Sequence, residues 1–262
     1  MTQVPPSQSP THFKFCSFDI YGTLIDWEGG IANALLTSAP IASLPDSHKL
    51  KTRAYILETY EREERKLQQE QPGLEYSKLL AEVYRRVLKA EGIEITPDVE
   101  KTSDDFAHSI GTWPAFPDTV KAMQTLGKYY KLAPLSNVDN ASFSRTLSGP
   151  LKDVNFSAIY TAQDIGSYKP DPRNFEYLVS HVEKDFGIKK DEIWHIAQSL
   201  HHDHVPTTEG GFETGVWVDR KGAMGEVSGE LKERAKYGWR VGSLGELADI
   251  VEEAWAKEGK QP

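Results

Sequence analysis

The chain has 262 residues, of which 39% are apolar and 26% are charged. This length allows one large domain or two small ones. The 10 Phe, 6 Trp and 11 Tyr residues supply an ample apolar core and exclude a mostly disordered chain. The formal charge of −9 argues against nucleic acid or an anionic membrane as the main partner, because both require a basic surface.

The single cysteine, Cys16, excludes an intramolecular disulfide and any metal site built from several cysteines. No apolar run approaches the ~20 residues that cross a bilayer. Residues 1–12 contain neither a basic segment nor an apolar block, and we expect them to form a flexible tail without a secretory signal. These features predict a soluble, cytoplasmic protein, with an enzyme as the first hypothesis.

Short apolar runs of strand length alternate with helical patterns along much of the chain. The predicted strands are residues 13–20, 130–136, 156–161, 193–199 and 215–219. The predicted helices between and after them are residues 117–126, 140–147, 172–186, 204–210 and 244–255. This alternation predicts an α/β fold with a parallel sheet covered by helices on both faces. Ligands of such sheets bind at the carboxyl ends of the strands.

The segment 27–112 interrupts the alternation, since it contains no convincing strand. Its predicted helices are residues 48–70, 76–91 and 97–110. We therefore expect an all-helical domain over residues 27–112, inserted after the first strand of an α/β core that is formed by residues 13–26 and 113–262.

Polar residues follow several of the predicted strands. Asp19 closes the first, Ser136 and Asn137 close the second, and Ser199 to Asp203 follow the fourth, while Lys169 lies in a proline-rich loop. A lysine near Asp19 favours the ionised form of the aspartate. An ionised aspartate in a dry pocket is a competent nucleophile that forms an ester intermediate. Taken singly, these residues also suit a helix cap, a turn and a surface lysine.

Their order along the chain resembles the four-motif series of the haloacid dehalogenase superfamily. The motifs are Asp19-Ile20-Tyr21-Gly22-Thr23-Leu24, Ser136-Asn137, Lys169-Pro170-Asp171-Pro172 and Ser199-Leu200-His201-His202-Asp203. The resemblance spans residues 13 to about 222. It implies a Rossmann-like core, a mobile cap formed by the helical insertion, and Asp19 as the nucleophile.

Two positions depart from the phosphatases of that superfamily. Tyr21 stands where phosphatases have a general acid/base aspartate, and Gln198 stands where they have a magnesium-binding aspartate. A neutral amide replaces a hard anionic ligand poorly. Phosphoryl transfer relies on the metal and the proton donor, whereas a halide leaves as a stable anion. The sequence therefore resembles the 2-haloacid dehalogenase branch, which implies no cofactor and no metal.

The resemblance also assigns roles. Asp19 would attack C2 of a 2-haloalkanoate, Lys169 would position Asp19, and Asp203 would orient or deprotonate the water that hydrolyses the ester. Thr23 completes the implied catalytic set and would also help to hold the substrate. Residues implied to bind the substrate carboxylate or the halide are Tyr21, Arg53, Ser136, Asn137 and Ser199.

Some positions differ from the dehalogenases as well. Leu200 and Phe175 replace an asparagine and a tyrosine, and His201, His202 and His204 form a cluster whose role stays open between metal binding, proton transfer and structure. Two alternative functions also stay open: a phosphatase with an atypical magnesium site, and a non-catalytic ligand-binding protein. The expected partner is a small molecule rather than nucleic acid or membrane, and a homodimer is an open alternative to a monomer.

Overall fold

The computed structural model describes residues 2–6, 8–71, 73–220 and 233–261. The chain forms two compact units. The first comprises Met1–Ile25, Ala115–Asn137 and Asp153–Pro262, and the second comprises Asp26–Pro114 and Val138–Lys152. Residues 221–232 of the predicted core lie outside the described residues.

The first unit is built on a parallel sheet. In chain order, the strands of the described residues are β1 (Thr2–Gln3), β2 (Phe15–Phe18), β3 (Lys131–Ser136), β4 (Tyr160–Thr161), β5 (Ile193–Ala197), β6 (Val216–Val218), β7 (Lys236–Tyr237) and β8 (Trp239–Val241). Six of them form one sheet in the order β4-β3-β2-β5-β6-β8, with every neighbouring pair parallel, while β1 pairs separately with β7. The predicted α/β fold with a parallel sheet is confirmed.

Helices of the first unit alternate with these strands. Among the described residues, the α-helices are Thr119–Leu126, Ala162–Ile165, Arg173–Phe186, Val205–Glu209 and Leu244–Lys257, with a π-helical turn over Leu200–His204. Every residue of β2 and β5 is buried, which is typical of strands that are covered on both faces. Phe15 and Leu135 pack against Leu178 on one side, and Phe13 stacks on Trp194 with ring centroids 4.9 Å apart. These contacts help to bury the central strands of the sheet.

The second unit is helical throughout its described residues, apart from turns and loops. Its α-helices are Trp27–Thr37, Ala39–Ala42, Arg53–Glu70, Tyr76–Ala90, Pro97–His108 and Asn140–Ser148. Val138–Lys152 also belongs to this unit, although it lies outside the predicted insertion 27–112. Gly111 allows the helix Asn140–Ser148 to pack closely against the rest of the unit. A Cβ atom on Gly111 would lie 2.5 Å from Cβ of Arg145, so only glycine allows this helix to approach so closely.

The sequence did not predict the helix Trp27–Thr37, because consecutive glycines disfavour a helix. Its Gly30 packs directly on the indole of Trp113, where an added Cβ atom would lie 2.3 Å from the ring. Packing against a buried tryptophan therefore outweighs the low helix propensity of this segment.

Residues 1–12, expected to be a flexible tail, are instead partly anchored. β1 pairs with β7, and Pro10 is buried with its carbonyl oxygen 3.0 Å from the Tyr130 hydroxyl group that donates to it. The hydroxyl groups of Ser9 and Thr11 each donate to Glu258, at 2.7 Å. Such contacts, made by polar side chains distant in sequence, leave no periodic pattern in the segment itself.

Several strand boundaries also differ from the expectation. Only Tyr160–Thr161 of the predicted strand 156–161 belongs to a strand, and the edge strand β8 was not predicted. Both strands are too short to produce a recognisable alternation. Among the described residues, no helix combines the length and apolarity that are needed to cross a membrane.

Candidate active site

A buried lysine joins two buried carboxylates at the carboxyl ends of β2 and β5. Lys169 Nζ lies 2.9 Å from Asp19 Oδ1 and 2.7 Å from Asp203 Oδ1. The exposed fractions of the three residues are 3% for Lys169, 8% for Asp19 and 0% for Asp203. Two negative charges and one positive charge therefore share a site from which water is largely excluded.

The turn after β2 supplies a hydrogen bond to Oδ2, the second carboxylate oxygen of Asp19. The N–H groups of Leu24 and Ile25 both donate to the Ile20 carbonyl oxygen, at 2.8 and 2.9 Å, and Gly22 has a φ of 102° that favours glycine. This tight turn brings the Thr23 hydroxyl group to 2.8 Å from Asp19 Oδ2, to which it donates. The Gln198 N–H group in turn donates to the Thr23 hydroxyl oxygen at 2.9 Å. Thr23 thus links the nucleophile candidate to the end of β5.

Asn137 fixes the backbone of Lys169. Its side-chain N–H donates to the Lys169 carbonyl oxygen at 2.9 Å, and its side-chain oxygen accepts from the Lys169 N–H at 2.7 Å. The amide of Asn137 is therefore committed to the loop that carries the lysine. The neighbouring Ser136 hydroxyl group is buried and has no hydrogen-bond partner among the described residues.

Asp203 has a second partner that the sequence did not reveal. His195 Nε2 lies 2.9 Å from Asp203 Oδ1, and His195 Nδ1 lies 2.8 Å from the Ser17 hydroxyl oxygen. The other carboxylate oxygen, Asp203 Oδ2, is buried without a hydrogen-bond partner among the described residues. A histidine within the apolar run 193–199 was the available signal, since in parallel register it lies beside Ser17 of β2.

The two carboxylates differ in their pKa values. Burial raises the pKa of Asp19, and the nearby charge of Asp203 adds to this effect, while Lys169 and Thr23 only partly oppose it. For Asp203, burial also acts to raise the pKa, but Lys169 and His195 outweigh it and hold the pKa well below the ordinary value. Burial alone would lower the pKa of Lys169, and the two carboxylates reverse this so that the pKa rises. The site therefore pairs one strongly acidic carboxyl group with one more basic carboxylate.

The remaining predicted site residues are Tyr21, Ser199 and Arg53, and they belong to different parts of the fold. Tyr21 is half-buried in the turn after β2, and the Ser199 hydroxyl oxygen accepts from the His202 N–H at 3.1 Å, which caps the π-helical turn that carries Asp203. Arg53 belongs to the second unit, where it is exposed at the first residue of the helix Arg53–Glu70. The helix Trp27–Thr37, which the sequence did not predict, precedes it in this unit.

The three clustered histidines occupy different environments. His201 is exposed and His202 is half-buried beside Ser199. His204 is fully buried and its Nε2 lies 3.0 Å from the Ala197 carbonyl oxygen, to which it donates. Burial lowers the pKa of His204 to about 4, so its imidazole is neutral at pH 7. These side chains do not share one ligand position.

The residues present do not fit a divalent cation. Both oxygens of Asp19 already accept hydrogen bonds, and the side chain at position 198 is the neutral amide of Gln198. The backbone carbonyl oxygen of Gln198 accepts from Trp217 Nε1 at 3.0 Å. Within the described part of the chain, no three His, Cys, Asp or Glu side chains form a group that could hold a metal ion. Mg²⁺ demands near-octahedral oxygen coordination, which this donor set does not offer.

Comparisons with known proteins identify the family. The family described as haloacid dehalogenase-like hydrolase matches residues 13–197. This chain belongs to the haloacid dehalogenase-like hydrolases. The resemblance read from the four motifs is thereby confirmed at the level of the family, and the chain is a hydrolase. A search of curated proteins finds no match.

Solved structures with the same fold include dehalogenases and a magnesium-bound hydrolase. A defluorinating L-2-haloacid dehalogenase has a TM-score of 0.73 at 19% identity, covering 94% of this chain and 99% of its own. An L-2-haloacid dehalogenase from Xanthobacter autotrophicus has a TM-score of 0.71 at 18% identity, covering 92% and 98%. A HAD-hydrolase from Bacillus subtilis bound to magnesium has a TM-score of 0.67 at 18% identity, covering 91% and 98%. At these identities the likeness shows the fold, and the reaction must be argued from the site.

Proposed function

We propose that this hydrolase displaces halide from C2 of short 2-haloalkanoic acids through an ester on Asp19, without a metal ion. One observation carries the proposal. Asp19 is a buried carboxylate held by Lys169 and Thr23, while Tyr21 and Gln198 occupy the positions where metal-dependent relatives have carboxylates. Such a site retains a nucleophile but lacks the carboxylates that would hold the cation used in phosphoryl transfer.

In the first step, a carboxylate oxygen of Asp19 attacks C2 of the substrate from the side opposite the halogen. The new C–O bond forms as the carbon–halogen bond breaks, and the halide departs with the bonding electrons. The raised pKa of Asp19 supports this role, because a more basic carboxylate is the better nucleophile. The Lys169 ammonium group holds the carboxylate in place during the attack.

In the second step, water attacks the ester carbonyl carbon of Asp19. Asp203 orients the water and accepts one of its protons as the new bond forms, and that proton then passes to the oxygen of the departing 2-hydroxy acid. The second proton of the water leaves the new Asp19 carboxyl group for solvent, so Asp19 regains its carboxylate and the cycle yields the 2-hydroxy acid, halide and one proton. The low pKa of Asp203 makes it a weak base, so orientation of the water is its larger contribution.

The proposed substrate contacts depend on which polar side-chain atoms already have hydrogen-bond partners. Ser136 carries a buried hydroxyl group with no partner among the described residues, and it suits the substrate carboxylate or the halide. Asn137 and Ser199 bind backbone groups, so they act by holding the loops of Lys169 and Asp203. Tyr21 and Arg53 are proposed as substrate and halide contacts on the resemblance alone.

Halide release from 2-chloropropionate in the presence of EDTA tests the proposal. We expect wild-type protein to release chloride with EDTA present, and Asp19→Asn to release none. Magnesium-dependent hydrolysis of a phosphoryl donor, with no chloride release, would instead indicate a phosphatase. Binding of 2-chloropropionate without either reaction would indicate a non-catalytic ligand-binding protein.

A further inference from the structure

We propose that His195 is a positioning residue for the second step, because it holds Asp203 by one oxygen and so leaves the other oxygen for the hydrolytic water. This inference rests on the proposed ester mechanism. Nothing in the four motifs includes His195, and its place inside a buried strand makes it look like an ordinary core residue.

The geometry fixes the direction of the hydrogen bond. A carboxylate only accepts, so His195 Nε2 carries the proton and donates to Asp203 Oδ1 at 2.9 Å. The Ser17 hydroxyl group lies 2.8 Å from His195 Nδ1 and holds the opposite edge of the ring. Phe175 meets the ring edge-to-face with centroids 5.3 Å apart, and His195 is 1% exposed. The imidazole therefore has little freedom to rotate.

Both donors to Asp203 act on the same oxygen. Lys169 Nζ donates to Oδ1 at 2.7 Å, and His195 donates to the same atom. Oδ2 is buried and has no partner among the described residues. A buried carboxylate oxygen without a donor is costly, so it is the natural acceptor for the water of the second step.

Lys169 cannot hold Asp203 in this orientation alone, since it is shared with Asp19. During the first step Asp19 loses its negative charge as the ester forms, and the position of Lys169 then depends on Asp203. His195 contacts Asp203 and has no hydrogen bond to Asp19 among the described residues. Its loss should therefore slow hydrolysis of the ester and leave formation of the ester nearly unchanged.

Two substitutions separate the hydrogen bond from the volume of the ring. His195→Leu removes the donor, and His195→Gln retains an N–H donor near the position of Nε2. We expect the leucine variant to hydrolyse the ester about 10- to 100-fold more slowly, the range for a lost hydrogen bond to a charged group. We expect the glutamine variant to recover much of that rate.

Rapid-quench measurement of chloride from 2-chloropropionate, with intact mass spectrometry, reads the two steps separately. The expected result for His195→Leu is a burst near one chloride per site, slow steady turnover, and an accumulated adduct on Asp19. His181→Leu, a half-buried histidine outside the site, serves as the control and should behave as wild type.

An equal fall in the rates of both steps in His195→Leu, or no change in either rate, would overturn the role of His195. Chloride release by the wild-type protein would still support the ester mechanism in that case. Absence of chloride release and of adduct in the wild type would instead overturn the proposed function. Ser17→Ala provides a second route if the leucine variant does not fold, because it removes the partner of Nδ1 and should produce the same selective slowing of hydrolysis. Normal hydrolysis in this variant would count against the proposal.

Discussion

Replacing Lys169 by methionine tests the charge arrangement of the site most severely. The methionine side chain has a similar length and no charge, so Asp19 and Asp203 would face each other without the cation that lies 2.9 and 2.7 Å from them. Removing one partner from a buried ion pair costs about 3–5 kcal/mol of the free energy of unfolding. We expect a loss in this range at pH 7.

The loss should shrink at lower pH, because one carboxylate relieves the repulsion by taking up a proton. Asp19 is the group that protonates, since its pKa is already raised whereas that of Asp203 is lowered. Loss of the Lys169 cation removes the main effect that opposes burial, so the pKa of Asp19 rises further and less of the nucleophile is ionised. We expect chloride release to fall about 10- to 100-fold, the range for a lost hydrogen bond to a charged group.

Urea unfolding at pH 5 and pH 8, with chloride release from 2-chloropropionate, measures both effects. Lys128→Met removes an exposed lysine of the same unit and serves as the matched control. A Lys169→Met protein within about 1 kcal/mol of wild type at pH 8, with near-normal chloride release, would refute the charge argument.

The remaining predictions concern single groups of the same site. Asp203→Asn should lower the free energy of unfolding by about 3–5 kcal/mol at pH 7, whereas Asp19→Asn should change it by about 1 kcal/mol or less. The reason is that folding favours the ionised form of Asp203 only. Urea unfolding in which Asp19→Asn is the more destabilised variant would contradict this. Chloride release should decline as pH falls toward the pKa of Asp19, which lies above the ordinary value of about 3.9. The stability due to Asp203 is lost only below that ordinary value, because folding lowers the pKa of Asp203. A pH–rate profile that is flat down to about pH 4 would contradict the role of Asp19. Thr23→Val should lower the free energy of unfolding, measured with urea, by about 1–3 kcal/mol, since it leaves the Gln198 N–H without its acceptor. Thr37→Val, at an exposed threonine, is the control and should have little effect. Equal effects of the two substitutions would contradict the structural role of Thr23.

The sequence was sufficient to predict the parallel sheet and the residues that close its strands. An apolar run that stops at a polar residue marks the end of a buried strand, and this rule located Asp19, Ser136 and Asp203. Parallel strands bring such ends to one edge of the sheet, so their proximity follows from the topology. Lys169 was found through its place in an ordered series of motifs rather than from any local pattern.

Other features depend on contacts that leave no local signal. His195 lies within a buried strand, and only its register beside Ser17 and its distance to Asp203 reveal its polar contacts. The amide of Asn137 binds the backbone of Lys169, 32 positions later in the chain, which no composition or spacing predicts. The helix Trp27–Thr37 was missed because its glycines serve close packing rather than helix propensity.

A single turnover of 2-chloropropionate in heavy-oxygen water, with excess enzyme, tests the nucleophilic role of Asp19 most directly. The account predicts that the heavy oxygen enters the Asp19 carboxylate, located by mass spectrometry of its peptide, while the lactate product carries an unlabelled hydroxyl oxygen from the enzyme. Label in the lactate hydroxyl group, with none in the Asp19 peptide, would show that water attacks the substrate itself and would contradict the account.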